Sequence, residues 1–565
     1  MKIQRFFLIH LCLLMCIFSG CTQHPMVTIY ENGNIYTCED SITHAEAMVV
    51  SDGKILYVGT EQDVKKYKKG KYNHVNLEGK TVLPGFIESH AHPASYGFMN
   101  AGDMITLSAT ATKEEIIAQL KKYLEKNPDA THIFGKGYGL SHLGLPDGET
   151  PTALELDAIS TQIPIMLYDD GCHSGWANSK ALSLAGVNEN TPDPLPGVHY
   201  YVRYPGTTKP TGYLCENTGH LVADALPFNT SASVSLHLED ALKNYADMGF
   251  TGIVDAGDLH STTYEAVKQL QNQGKLNMYY QKGYWANQSL SIEENINLLK
   301  KLDSQYTQDN FYCNIYKMFM DGTIEAESAS LLAPYSHSGK VVEPFFSKEK
   351  CTEHVSAALS AGYGVHVHAI GDKGQQYILD AFSATKDINP SIPRAIAHNQ
   401  VFEPEGITKY TSMKSNLFCQ TTPSWASPDG IEETLRKLGK DRFSRQYLWG
   451  KIAANGVRIT LGSDYPANLI EEVNPFRQIF HAAMRMDSLS GYFPPYDAGL
   501  TVQDGIKAYT IYAAQQMGLS DITGSLKVGK NADFIIIDRD IFKCKLEDVK
   551  ATKVLNTYFQ GKKIK

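Results

Sequence analysis

The residues best suited to chemistry are histidines and one aspartate at the ends of short apolar runs. Val82-Leu83-Pro84-Gly85-Phe86-Ile87-Glu88-Ser89-His90-Ala91-His92 places two imidazoles two residues apart. In a strand such residues share a face, so His90 and His92 can grip one cation. Tyr363-Gly364-Val365-His366-Val367-His368 repeats the spacing, and either histidine, or both, can serve as a ligand there. Pro393 to His398 closes a third run with an imidazole, and Val457 to Asp464 closes a fourth with a carboxylate. A mixed nitrogen and oxygen set from four separate strands suits Zn²⁺ or a similar divalent ion. Such an ion lowers the pKa of bound water toward neutrality and polarises a carbonyl, so the hydroxide attacks without a covalent enzyme intermediate. Asp464 is then a candidate general base and His398 a candidate to orient the group under attack.

The elements that must hold these side chains alternate in type. Helical composition and spacing mark Lys113 to Lys126, Glu239 to Met248, Tyr264 to Gln273, Glu293 to Leu302 and Lys348 to Ala361. Buried strand-like runs mark Val82 to Ile87, Ile163 to Leu167, Gly252 to Asp255, Ile315 to Phe319, Gly364 to His368, Ala395 to His398 and Val457 to Leu461. Strands alternating with helices over this length predict a (β/α) barrel, whose chemistry sits at the C-terminal ends of its strands. At the start, Val27 to Tyr30, Ile35-Tyr36, Ala47 to Val50 and Ile55 to Val58 read as a β-meander turning at Asn32-Gly33 and Asp52-Gly53. The far end carries Phe534 to Ile537 and Val554 to Phe559, so both termini are expected to build one small composite β-sandwich. The expected division is residues 21–80 for the N-terminal part of that domain, 81–500 for the barrel with a long insertion, and 501–565 for the last barrel helix and the C-terminal part.

The 565 residues carry 52 Lys+Arg against 61 Asp+Glu, a net charge of −9 that is scattered rather than blocked, so no nucleic-acid surface is implied. A hydrophobic share of 43% with 20% charged residues excludes both global disorder and a polytopic membrane protein. Lys2 and Arg5 precede an apolar run from Phe6 to Phe18 that is too short to span a bilayer and has the layout of a secretory signal over residues 1–20. Phe18-Ser19-Gly20-Cys21 resembles a bacterial lipobox, which implies acylation of Cys21 and tethering at a membrane of the cell envelope; an ordinary cleaved signal is the alternative. The ten cysteines show no CxxC spacing, so no disulfide framework follows.

Pro84-Gly85-Phe86-Ile87-Glu88-Ser89-His90-Ala91-His92 resembles the first metal motif of the amidohydrolase superfamily. Within it, His368-Ala369-Ile370-Gly371-Asp372 and Gly462-Ser463-Asp464-Tyr465-Pro466 resemble the YtcJ-like, amidohydrolase family 3 branch that includes N-substituted formamide deformylases. The tail Gly524-Ser-Leu-Lys-Val-Gly-Lys-Asn-Ala-Asp533 is similar to that family's closing segment, so the likeness spans essentially the whole mature chain. It implies an α/β fold, a (β/α)₈ TIM-type barrel beside a small composite β domain, with metal ligands on strands one, four, five, six and eight. Carried onto this chain, these are His90, His92, Lys317, His368, His398 and Asp464, with one or two ions and with Lys317 as a bridging carbamate where there are two. At strand six the branch usually has a glutamate before the histidine, and this chain has Ala397.

Asp169-Asp170-Gly171-Cys172-His173 is similar to a family segment reading Asp-Gly-His, which implies that His173 faces the substrate; Asp321, following the lysine strand, is expected to line the same site. Trp176, Trp285 and Trp425 are candidates for an aromatic wall or for ordinary core. The reaction implied is hydrolysis of a C–N bond in an amide or an N-formyl or N-acyl amine. The alternatives are a mononuclear-metal deaminase of the same superfamily and a lipid-anchored binding protein without turnover. No Gly-rich phosphate loop suggests a nucleotide cofactor.

Overall fold

Eight parallel strands follow one another around a barrel: β1 (Phe86–Ala91), β2 (Phe250–Asp258), β3 (Tyr279–Trp285), β4 (Phe311–Phe319), β5 (Gly364–Ala369), β6 (Arg394–His398), β7 (Leu417–Thr421) and β8 (Arg458–Leu461). This computed structural model describes residues 26–146, 149–170, 174–194, 196, 199–413, 416–426, 431–484 and 499–565. The signal segment, Cys21 and His173 lie outside them. Helices such as Ile292–Tyr306, Lys348–Ser360 and Asp372–Ala384 connect the strands on the outside, as right-handed parallel crossovers require. Among the described residues, no helix is long and apolar enough to cross a membrane.

The barrel closes between β1 and β8 through side chains as well as backbone. Asp464 N donates to His90 O at 2.9 Å and His92 N to Tyr465 O at 2.6 Å. Ser89 Oγ donates to Leu461 O at 2.7 Å, and the Glu88 carboxylate accepts from Ser463 N at 3.1 Å. Gly462 permits this approach: a Cβ there would stand 2.6 Å from Glu88 Oε1 and 2.7 Å from His90 N.

Val82 to Ile87 proves to be two elements. Thr81–Pro84 belongs to the small domain, Phe86–Ala91 to the barrel, and Gly85 is the crossing, with Thr251 Oγ1 only 2.3 Å from where its Cβ would be. The composite sandwich packs two sheets over a core that includes Tyr30, Ile35, Val82, Phe534 and Ile536. The expected meander is corrected here. Val27–Glu31 pairs antiparallel with Ala47–Ser51 but parallel with Tyr72–Asn76, while Asn34–Tyr36 crosses to the other sheet beside Thr81–Pro84. Local turns such as Asn32-Gly33 permit the bend, but burial between two sheets decides the partner.

The chain between β1 and β2 builds its own six-stranded mixed sheet, ordered Tyr201–Arg203, Pro210–Cys215, Ser174–Ala177, Ile165–Asp169, Ile133–Tyr138 and Ile105–Thr106. The apolar run near Ile163 to Leu167 therefore belongs to this insertion and not to the barrel. Trp176 is fully buried there, donating Nε1–H to Thr152 O at 2.7 Å, so it is core. Two barrel strands escaped the apolar pattern: β3, with sequence YYQKGYW, and β7, with sequence LFCQT, carry polar residues into the barrel interior.

Candidate metal centre

The side chains at the C-terminal ends of β1, β4, β5, β6 and β8 meet in one buried cluster. His90, His398 and Asp464 each place a ligand atom within 4.8 Å of the others'. His90 Nε2 is 3.3 Å and His92 Nε2 is 3.4 Å from Asp464 Oδ1. His398 (φ 74°) and Asp464 (φ 55°) both adopt left-handed backbone, which ends each strand abruptly and turns the side chain back over the barrel mouth. Such conformations cost about 1–3 kcal/mol each and persist where the surroundings enforce them. At His398 the next residue helps: Asn399 Nδ2 donates to Ile396 O and to Gln420 O at 2.9 Å.

The tautomer of His92 is decisive for what fits. Its Nδ1 lies 2.6 Å from Gly257 O, and a carbonyl only accepts, so Nδ1 carries the proton. Nε2 is then the atom that faces the Asp464 carboxylate, 3.4 Å from its Oδ1. An imidazole nitrogen and a carboxylate oxygen so placed can share one cation. Lys317 Nζ and His398 Nδ1 are also buried without a hydrogen-bond partner among the described residues. The donor set of imidazole nitrogens, one carboxylate and one lysine therefore fits a divalent cation.

The electrostatics agree. Burial, then the charge of Lys317, holds His90 and His366 well below the usual imidazole range. Burial and the neighbouring His368 do the same to His398. Burial opposes ionisation of Asp464, but the contact with His92 and the nearby positive charge outweigh it and hold its pKa below the ordinary carboxylate value. Burial lowers Lys317 to about 7. Neutral imidazoles, an ionised carboxylate and an amine that readily loses its proton are the protonation states metal binding requires. They are also the states in which an amine can add CO₂.

Across 73–564 the chain matches the family model described as "Amidohydrolase family". The chain belongs to the amidohydrolase family. Among its relatives, the exoenzymes regulatory protein AepA of Pectobacterium carotovorum subsp. carotovorum is 50% identical over 440 residues, covering 78% of this chain and 94% of that protein. The N-substituted formamide deformylase of Arthrobacter pascens is 25% identical, covering 94% and 96%. In fold, the chain is similar to an uncharacterised metal-dependent hydrolase from Pyrococcus horikoshii OT3, with TM-score 0.71 and 24% identity over 92% of this chain and 99% of that one. Divalent-metal hydrolysis is the chemistry of this amidohydrolase.

Register explains how this amidohydrolase gathers its site. On β4, Lys317 stands beside His366 of β5, and Phe319 beside His368; Ala369 of β5 stands beside His398. His366, which shares the period-two spacing, does not reach the open side of the cluster. Its Nε2 lies 2.7 Å from His90 Nδ1, behind that ring. Asp321 departs from the expectation that it lines the site for substrate. Its fully buried carboxylate accepts from Ile370 N at 3.0 Å, Gly371 N at 2.8 Å and Ser330 N at 2.9 Å, and stands 3.3 Å from His368 Nδ1. Three backbone donors consume its oxygens, so it braces the turn behind His368. Glu216, at φ 52°, opens the helix Asn217–Asp224 of the insertion.

Sequence reasoning passed over several polar groups around the centre. Glu88, pushed up to about 8 by burial, ties β1 to β8 beneath the histidines. Lys282 on β3 is buried between Asp255, at 3.1 Å, and Asp258, at 2.7 Å. His260 Nδ1 meets Asp224 Oδ1 at 2.5 Å, joining the loop after β2 to the insertion. A lysine inside an aromatic run was the available signal for Lys282; the pairing with Asp224 had none.

Proposed function

We propose that this protein hydrolyses a C–N bond of a neutral amide, an N-formyl or N-acyl amine, with His90, His92, Lys317, His368, His398 and Asp464 holding one or two divalent ions, zinc foremost. The observation that carries this reading is the convergence of His90, His398 and Asp464, whose ligand atoms lie within 4.8 Å of one another, beside a buried Lys317 amine with no hydrogen-bond partner among the described residues. A bound divalent ion would supply Lewis acidity toward water and toward the amide carbonyl. Asp464 takes the proton of the attacking water and delivers it to the departing nitrogen, which leaves as the free amine. It is ionised at neutral pH, so its carboxylate has a site open for that proton. His398 orients the carbonyl oxygen, and burial of the cluster excludes competing water. Neutral Lys317 can add CO₂ and release a proton to give a carbamate, whose single negative charge is shared by two oxygens, in place of an ammonium that would repel the cations.

The likeness to a formamide deformylase supports the C–N bond and favours formyl over larger acyl groups. The test is release of free amine from N-formyl and N-acetyl amines by purified protein, before and after chelation and after Zn²⁺ is restored. Turnover that survives complete metal removal would end this reading; adenosine or cytosine deamination with a single bound ion and unmodified Lys317 would replace it with the deaminase. We further propose, from the lipobox alone, that Cys21 is acylated and anchors the enzyme in the bacterial cell envelope. Metabolic labelling with a radioactive fatty acid that is lost in Cys21→Ala checks this.

A further inference from the structure

Each outer imidazole of the centre has an aromatic ring set against it, and the three rings come from three different elements. Trp285, ending β3, meets His92 edge to face at 6.0 Å and 90°. Phe319, ending β4, lies 5.2 Å from His368, and Trp285 and Phe319 contact each other at 4.7 Å and 72°. Trp425 stacks on His398 at 4.9 Å with the planes within 6°. All three rings remain partly exposed, while His90, His368 and His398 beneath them are buried. A hydrophobic core has no need to leave such large rings half open, and a metal cluster has no need of three of them.

Two of the three rings present no polar atom to a ligand. Trp285 Nε1–H is spent on Ala256 O at 2.7 Å, so its indole offers carbon and π surface, not a donor. That bond also fixes the ring's orientation, because Ala256 sits on β2 within the barrel wall. Phe319 offers carbon alone. The ionic groups of β2 and β3, Asp255, Asp258 and Lys282, are bound to one another within the barrel, at 3.1 and 2.7 Å.

We propose that Trp285, Phe319 and Trp425 form a substrate subsite that takes a flat apolar group, an aryl or arylmethyl substituent on the scissile amide, and disfavours small or zwitterionic amides. This rests on the hydrolase reading for its catalytic consequence, but not for binding. Trp425 stacks on His398, and Phe319 and Trp285 flank His368 and His92, so a group bound at these imidazoles has these rings beside it. Flat groups gain from edge and face contacts with aromatic walls beyond simple burial.

The test compares formanilide with N-methylformamide in zinc-loaded wild type, Trp285→Ala, Trp285→Phe and Trp425→Ala, with zinc content measured for each. Calorimetric titration with the non-hydrolysable N-phenylmethanesulfonamide and N-methylmethanesulfonamide runs in parallel. We expect wild type to favour formanilide in kcat/KM. That preference should fall at least tenfold in each alanine variant, chiefly through KM, and be largely kept in Trp285→Phe, with zinc content constant. The phenyl sulfonamide should bind wild type at least tenfold more tightly than its methyl counterpart, and the alanine variants should lose that margin. An unchanged preference, or a loss that only tracks lost zinc, overturns the subsite and leaves the rings as packing. If wild type cleaves neither amide, the C–N reading fails, and the titrations alone decide the subsite.

Discussion

Two lysines, Lys282 and Lys317, lie fully buried on adjacent strands of one barrel and have opposite fates. Lys282 faces Asp255 of β2 across the register and also reaches Asp258, so two carboxylates hold it charged against the cost of burial, and its pKa is raised. Lys317 has Trp285 on one side and His366 on the other, finds no hydrogen-bond partner among the described residues, and falls to about 7. Each amine also sits 4.9 Å from an aromatic ring, Tyr264 for Lys282 and Phe319 for Lys317, so ring contact does not separate them. What separates them is whether the strand alongside offers a carboxylate. A buried ion that is paired contributes to architecture; a buried amine left unpaired is available to chemistry.

The largest effect that sharpens this contrast is on activity. Lys317→Met is expected to lower kcat/KM on the order of 10³-fold, the scale of removing a main electrostatic element of a site, while thermal stability is unchanged or higher. Steady-state kinetics and calorimetry read both together; a variant that keeps full activity would put Lys317 in the same class as Lys282. Lys282→Met should act the other way, leaving two buried carboxylates unpaired and costing about 3–5 kcal/mol in urea unfolding, or preventing soluble expression. If soluble, it should still bind zinc.

A smaller effect concerns the ring behind His90. His366→Phe is expected to weaken zinc binding by about 10–100-fold, as loss of a hydrogen-bond partner to a ligating histidine typically does, measured by competition with a chromogenic chelator. Unchanged affinity would make His366 packing only. The smallest is a pH slope in metal-free protein. Lys317 has a folded value of about 7 and an unfolded value near 10.4, so across that window the unfolded chain binds the extra proton. Its contribution to stability is then full above pH ~10.4 and is lost as pH falls toward ~7, with a slope of up to about 1.4 kcal/mol per pH unit. The difference between wild type and Lys317→Met in urea unfolding from pH 7 to 10 isolates this slope, and parallel curves would show that the amine is solvated.

How far the site could be read in advance differs residue by residue. His90, His92, His368, His398 and Asp464 could be picked out because each ends an apolar run, and a polar residue at that point of a parallel barrel strand faces its mouth. Lys317 sits inside its run and drew notice only through family likeness. Asp321 was misjudged because nearness in the chain to Lys317 says nothing of which backbone donors its carboxylate meets. Ile163 to Leu167 was apolar enough for a barrel strand, and no local feature reveals which of two sheets such a strand joins. β3 and β7 stayed hidden because buried polar partners replace the apolar pattern there.

The amino-acid sequence by itself determined the alternation of strand and helix, the strand-end ligand types and their period-two spacing. These follow from local geometry and from burial, which any segment expresses alone. Only the tertiary structure decided which lysine is paired, which way His92 carries its proton, and which rings stand at the mouth. Each of those depends on the register between strands far apart in the chain. A shift of one residue there would exchange every inward side chain for an outward one.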